Sequence, residues 1–195
     1  MQRAMFLLAS AAILTVRALP GATGPVTVVI QTSLGSIEVQ VDTVRAPATS
    51  ANFLKYVDSG AYNGGQFHRT VKPDNQPRNQ VKIEVIQAGA APGAPGFPPI
   101  ALERTSVTGL SHLDGVISMA RDGPDTATSD FFICVGNQVS LDFGGNRNPD
   151  GQGFAAFGRV TKGMDVVRRI QAAPAEGQTL APPIRIVGIK RIDVR

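Results

Sequence analysis

The sequence predicts a mainly β fold, a closed eight-stranded antiparallel β-barrel capped by two helices. Three observations carry that expectation. Short apolar or alternating segments recur along the chain and end in Gly, Pro, Asn or Asp, as strands do. Only two stretches have helical spacing, too few and too far apart for a βαβ alternation. A length of 195 residues with 43% hydrophobic composition suffices for one domain with a full-sized core. A β-sandwich would show the same strand spacing but has no need of the helices.

After a Gly/Pro linker over 19–25 (LPGATGP), the segments VTVVIQT and IEVQV form a hairpin through Ser33, Leu34, Gly35 and Ser36. Pro47 opens and Gly60 closes a helix whose Phe53, Leu54 and Val57 share one face. Strand-like segments follow at 67–71, 82–89, 115–121, 130–136, 154–160 and 184–192, with a second helix, MDVVRRI, at 164–170. The connections 72–81 and 137–153 are rich in Pro, Asn, Asp and Gly, and loops of that kind carry function when a rigid scaffold positions them.

Residues 1–18 carry Arg3, then a charge-free, mostly apolar run from Ala4 to Val16, with Val16 and Ala18 placed as a Val-x-Ala cleavage site. That is the form of a secretory signal peptide and too short for an ordinary membrane-spanning helix, so export is expected, to the periplasm where the cell has two membranes. Arg17 beside the cut is atypical, and an uncleaved N-terminal anchor is the rival reading. The 19 basic residues less Arg3 and Arg17 leave 17 against 15 acidic ones, with no basic run interleaved with aromatics. Nucleic acid binding therefore has no support, and the mature domain from 26 to 195 needs no membrane span. Cys134, the one cysteine, sits inside FFICV as a buried thiol, so no internal disulfide holds the fold.

Several motifs with catalytic or metal-binding residue types fail on spacing. Ser111, His112 and Asp114 lie together in GLSHLDG, but no G-x-S-x-G elbow is present, and such close sequence neighbours seldom converge into a hydrolytic triad. Asn146, Asn148, Asp150 and Gly151 resemble the start of a calcium loop; the twelfth position is Phe157 instead of Glu, and no helices flank it. Two histidines, one cysteine and dispersed carboxylates offer no metal cluster, so neither metal nor cofactor is expected.

One stretch resists a purely structural reading. In QFHRTV, 66–71, strict alternation puts Phe67, Arg69 and Val71 on one face and His68 and Thr70 on the other, with His68 as a packing residue. An adjacent strand, KIEVIQAG, would present Val85 and Gln87 on one face, so Arg69 and Gln87 would meet beside an apolar patch. An ordinary solvated arginine on a strand fits the pattern equally well.

A resemblance decides between these readings. The segments NFLKYVDSGAYNGGQFHR (52–69), VIQAG (85–89), GVISMAR (115–121), SDFFI (129–133), LD (141–142) and FGRVTKGMDVV (157–167) resemble the cyclophilins, the β-barrel class of peptidyl-prolyl cis-trans isomerase, in order and spacing over about 26–194. The resemblance implies that Arg69 is the catalytic arginine and Gln87 the active-site glutamine. Val85, Ala120, Phe132 and Leu141 then line the proline pocket and its neighbours. Four departures change the rim: Glu84 replaces a phenylalanine, Arg121 an asparagine and Asp130 a glutamine, and Phe154 stands where histidine or tyrosine is common. Ser140 occupies a place where many members have tryptophan. The implied partners are proline-containing segments of unfolded or exported proteins, bound by a monomer. The competing expectation is a non-catalytic module that grips such segments, motivated by Glu84 and Asp130, either of which could pair with Arg69 and occupy it.

Overall fold

Strand β1 (Val26–Thr32) turns at Ser33 and Leu34 into β2 (Gly35–Val41), the hairpin expected from the sequence. Helix α1 (Pro47–Asp58) follows, then β3 (Gln66–Val71), β4 (Val85–Gly89), the single-turn helix α2 (Thr105–Thr108), β5 (Val116–Met119) and β6 (Phe131–Cys134). The chain ends with β7 (Ala155–Lys162), α3 (Met164–Gln171), the two-residue β8 (Ala175–Glu176) and the long β9 (Thr179–Ile192). The computed structural model describes residues 25–192. The expected signal peptide, its cleavage site, nearly all of the linker and residues 193–195 lie outside the described residues.

All strand pairs are antiparallel, in the order β1-β2-β7-β5-β6-β4-β3-β9, and β1 pairs with β9 to close the barrel. Strand β8 pairs only with β9, so eight strands form the wall and β8 is an appended arm. Closure leaves no barrel edge for another chain to extend. The described residues hold three helices instead of two: α2 has four residues, fewer than a helical period needs to be seen in sequence.

Inside the barrel, Phe53 of α1 meets Phe157 at 5.0 Å and Phe131 and Tyr62 at 5.6 Å between ring centroids. Phe53, Leu54 and Val57 are buried together, as their spacing predicts, and α1 packs against β7 and β9. Val166, Val167 and Ile170 bury one face of α3 against the opposite strands β2, β3 and β4. Cys134 is buried, and burial pushes its thiol well above the ordinary range, which leaves it unreactive.

Two strand boundaries shift for identifiable reasons. Strand β4 starts at Val85, not Lys82, because the Gln76 side chain takes both backbone groups of Ile83, at 2.7 and 3.3 Å. Strand β9 starts at Thr179, not Ile184, and runs through Pro182 and Pro183. Those prolines fall where the β3–β9 register slips between the Phe67–Ile184 and Arg69–Thr179 partners, so no ladder bond is lost for want of their N–H groups.

Helix α1 has no cap of its own at Ala46. Glu103, from the 101–104 segment, accepts the Ala48 and Thr49 N–H groups at 3.1 and 2.7 Å and the Thr49 hydroxyl at 2.6 Å. A carboxylate there satisfies free donors and complements the helix dipole. Replacing Glu103 with Ala is expected to cost about 1 to 2 kcal/mol in urea unfolding, with Glu103→Gln losing less. An unchanged midpoint in both variants would show that this contact does not support α1.

Candidate active site

The site begins with a fault in a strand. On β3, Phe67 pairs with Ala88 and Arg69 with Gln87, so His68 is an extra residue in a β-bulge. Strict alternation therefore fails here. Phe67 points into the barrel core, whereas Arg69 and Val71 point outward together. Their β4 partners Gln87 and Val85 lie on the same outer face. The bulge also brings His68 out of the packing role expected of it: it is half-buried, with Nε2 3.7 Å from Asp130.

That face opens into a cavity of about 600 Å³. Arg69, Gln87, Val85, Ala120, Arg121, Asp130, Phe132, Leu141 and Phe154 all line it, whereas Glu84 and Ser140, expected at its rim, do not. Its floor is an apolar cluster outside the barrel core, in which Val71, Ile83, Val85, Phe132, Cys134 and Leu141 are buried and Ala120 and Phe154 pack against them. Phe132 and Phe154 meet edge to face, 5.3 Å apart at 88°.

Arg69 is held by amides. Its Nη1 donates to Gln87 Oε1 at 3.0 Å, and its Nε and Nη2 donate to Gln178 Oε1 at 2.9 and 2.6 Å. Three of five N–H groups are used, and the other two have no partner among the described residues on a side chain that lines the cavity. Both partners are neutral, so the charge is positioned without being cancelled, and burial pulls the guanidinium pKa down from its usual value. Gln178 sits in the two-residue turn between β8 and β9, and its own Nε2 donates to Asn75 at 3.1 Å. Nothing in the local pattern around Gln178 marked it, since it reaches the site only through the β8–β9 turn.

Neither acidic residue thought able to occupy Arg69 does so. Glu84 lies outside the cavity lining and accepts from Gln171 of α3 at 3.0 Å. Asp130 accepts from Gln87 Nε2 at 3.3 Å. Its carboxylate lies against the α-carbon of Gly89, where any Cβ would strike it.

The rim is built by the 137–153 connection. Arg121, with 1% of its side chain exposed, donates from Nη1 and Nη2 to Asp150 at 2.8 and 3.0 Å and from Nε to the Gly153 carbonyl at 2.8 Å. The guanidinium lies 5.0 Å from the Phe154 ring centre. Asp150, which in sequence resembled a calcium ligand, is thus the partner of an arginine. Arg121 holds its carboxyl below the usual carboxylate range. Ile83 and Arg147 also line the cavity and were not singled out in sequence.

Behind the floor lies a buried polar relay. His112 stacks on Phe132 at 5.9 Å and 15° without lining the cavity. Its Nδ1 is 2.6 Å from Asp142 and its Nε2 3.0 Å from Ser118 Oγ, while Ser111 also bonds Asp142. Asp114 is elsewhere, accepting from Gly136 and Arg168. A serine, a histidine and an aspartate are therefore connected, though not the three grouped in sequence. His112 and Ser118 are both 0% exposed, so no ester reaches them, and the relay fixes the back of Phe132 instead.

The family model for cyclophilin type peptidyl-prolyl cis-trans isomerases matches residues 27–191. The chain is a cyclophilin. Among relatives, peptidyl-prolyl cis-trans isomerase A of Dickeya dadantii is 38% identical over 150 residues, covering 76% of this chain and 73% of its own. A peptidyl-prolyl cis-trans isomerase of Acinetobacter baylyi is 31% identical over 167 residues, covering 83% and 82%. The fold matches the crystal structure of a Cryptosporidium parvum cyclophilin type isomerase with a TM-score of 0.67 at 21% identity, over 88% of this chain and 99% of that one. The cyclophilin barrel expected from the sequence is the one observed.

Burial raises the Asp142 carboxyl, but the hydrogen bonds from His112 and Ser111 outweigh it and hold it below its ordinary value. A depressed folded-state pKa means that its stabilisation is complete above the unfolded value, about pH 4, and is lost as pH falls through the folded value. Thermal unfolding from pH 6 downward should therefore show an acid limb that is shallower in Asp142→Asn than in wild type. Parallel limbs would remove Asp142 from the acid sensitivity.

Proposed function

We propose that this cyclophilin accelerates cis-trans isomerisation of X-Pro bonds in proline-containing segments of unfolded proteins, with Arg69 as the catalytic group, acting as a monomer outside the cytoplasm. The observation that carries the catalytic reading is an unneutralised guanidinium, with two free donors, at the edge of an apolar hollow.

Rotation about a peptide bond costs about 18 to 20 kcal/mol because resonance must be broken, and uncatalysed prolyl isomerisation takes tens to hundreds of seconds. No covalent bond forms or breaks, so the reaction calls for no nucleophile. As the bond twists, the prolyl nitrogen regains lone-pair character. A fixed N–H donor aimed at that nitrogen is stabilising in the twisted state more than in the planar one, which is the condition for catalysis. Arg69 supplies that donor. Phe132, Leu141, Val85 and Phe154 take the proline ring, which is apolar and gains by leaving water. Gln87, already oriented by Arg69 and Asp130, is placed to donate to a substrate carbonyl. Ala120, Arg121 and Asp130 border the bound segment.

Exchange spectroscopy on an Ala-Pro peptide tests this reading. Arg69→Ala should lower the exchange rate on the order of 10²- to 10³-fold, the usual effect of removing a transition-state donor. Gln178→Ala, which removes an orienting amide, should lower it by about tenfold, since misplaced groups lose rate steeply. Urea midpoints establish that both variants are folded. Rates equal to wild type in Arg69→Ala would take that residue out of the mechanism.

Export rests on the charged start and apolar run of residues 1–18. N-terminal sequencing of the protein from its native cells should give a chain starting near Leu19. A soluble cytoplasmic species that keeps Met1 would refute export.

A further inference from the structure

A second guanidinium faces the same cavity. Arg147 of the 137–153 connection is anchored at both ends: its backbone N–H donates to the Ser140 carbonyl at 3.1 Å and its Nη1 to the Val81 carbonyl at 2.6 Å. Among the described residues its other guanidinium N–H groups have no acceptor, and no ion pair joins either Arg147 or Arg69 to a carboxylate. The third arginine of the cavity, Arg121, is neutralised by Asp150. Of the remaining acids there, Asp130 is engaged by Gln87, and Asp122 stands at the exposed margin without pairing to either free arginine.

Two fixed, like-charged groups bordering one half-enclosed space repel each other. Burial lowers the pKa of Arg147, and the Arg69 charge lowers it further, so the two groups are close enough to sense one another. A cation pair of this kind favours an anion between or beside it. An anchored planar fork with free donors suits a carboxylate in particular, because little side-chain freedom is lost on pairing.

Resting on the isomerase reading, we propose that Arg147 is a specificity-determining residue, selecting proline segments that carry an aspartate or glutamate side chain next to the proline. The apolar floor takes the ring, Arg69 addresses the rotating bond, and Arg147 takes the flanking carboxylate. An exposed salt bridge is ordinarily worth little, but here one partner is already positioned and partly dehydrated, and the neighbouring positive charge adds to the attraction.

The test uses the mature protein and capped peptides with Glu, Ala or Lys either before or after a single proline. Exchange spectroscopy gives the isomerisation rate of each, and chemical-shift titration gives its affinity. Wild type is expected to favour Glu over Lys by about tenfold in at least one of the two placements, with the preference shrinking between about 0.05 and 0.5 M NaCl. Arg147→Gln should bring the Glu/Lys ratio close to one, and Arg147→Glu should invert it. A wild-type ratio of one in both placements, or a ratio unchanged in Arg147→Gln, would overturn the assignment. If wild type exchanges no peptide at all, the isomerase reading fails instead, while the titrated Glu/Lys ratio still decides the role of Arg147.

Discussion

A permanently charged group has to be held still on a protein wall without being neutralised, and the rest of this site follows from that requirement. Pairing Arg69 with a carboxylate would fix it more strongly, but it would also satisfy the charge that the proposed catalysis uses. The chain solves this with two glutamines, one on the neighbouring strand and one from the turn between β8 and β9. Each of these is itself positioned, Gln87 by direct pairing of β4 with β3 and Gln178 by its bond to Asn75. The potential competitors are engaged elsewhere: Glu84 by α3 and Asp130 by Gln87.

The barrel separates two apolar assemblies that do different work. The interior, centred on Phe53, Phe131 and Phe157, stabilises the fold. The outer cluster around Phe132 is smaller and forms the floor of the cavity. Adjacent residues of β6 thus serve the two sides, Phe131 inward and Phe132 outward, as strand alternation requires. The outer cluster has no second sheet to press against it. The stacked His112 performs that service from beneath, and its two ring nitrogens are satisfied by Asp142 and Ser118, so the polar groups buried there are not left unpaired.

Much of this was legible in the sequence. Strand segments, the β1–β2 hairpin and both longer helices follow from periodicity and turn chemistry, while the meeting of Arg69 with Gln87, which the pattern left open, and the pocket residues follow from the resemblance to cyclophilins. What escaped has a common cause. The bulge at His68 inserts one residue and reverses the face of everything before it, a change that no hydrophobic pattern announces. Gln178 reaches Arg69, and Arg147 and Ile83 reach the cavity, from turns and connections whose course is set by tertiary contacts. The relay through His112 joins Asp142 and Ser118 across thirty and six positions, so sequence proximity suggested Asp114 instead.

Within the connection between β6 and β7, Leu141 and Phe154 flank the rim segment, and the Phe154 N–H donates to the Leu141 carbonyl at 3.0 Å. Its two feet are therefore stapled together independently of what lies between them. Because loop closure costs only a slowly rising entropy with length, residues can be gained or lost past Asp142, which must stay to hold His112, with little consequence for the floor or for Arg69. The fold thereby offers a replaceable rim beside a fixed floor: the residues between Asp142 and Phe154 can be rewritten without moving Phe132 or Arg69.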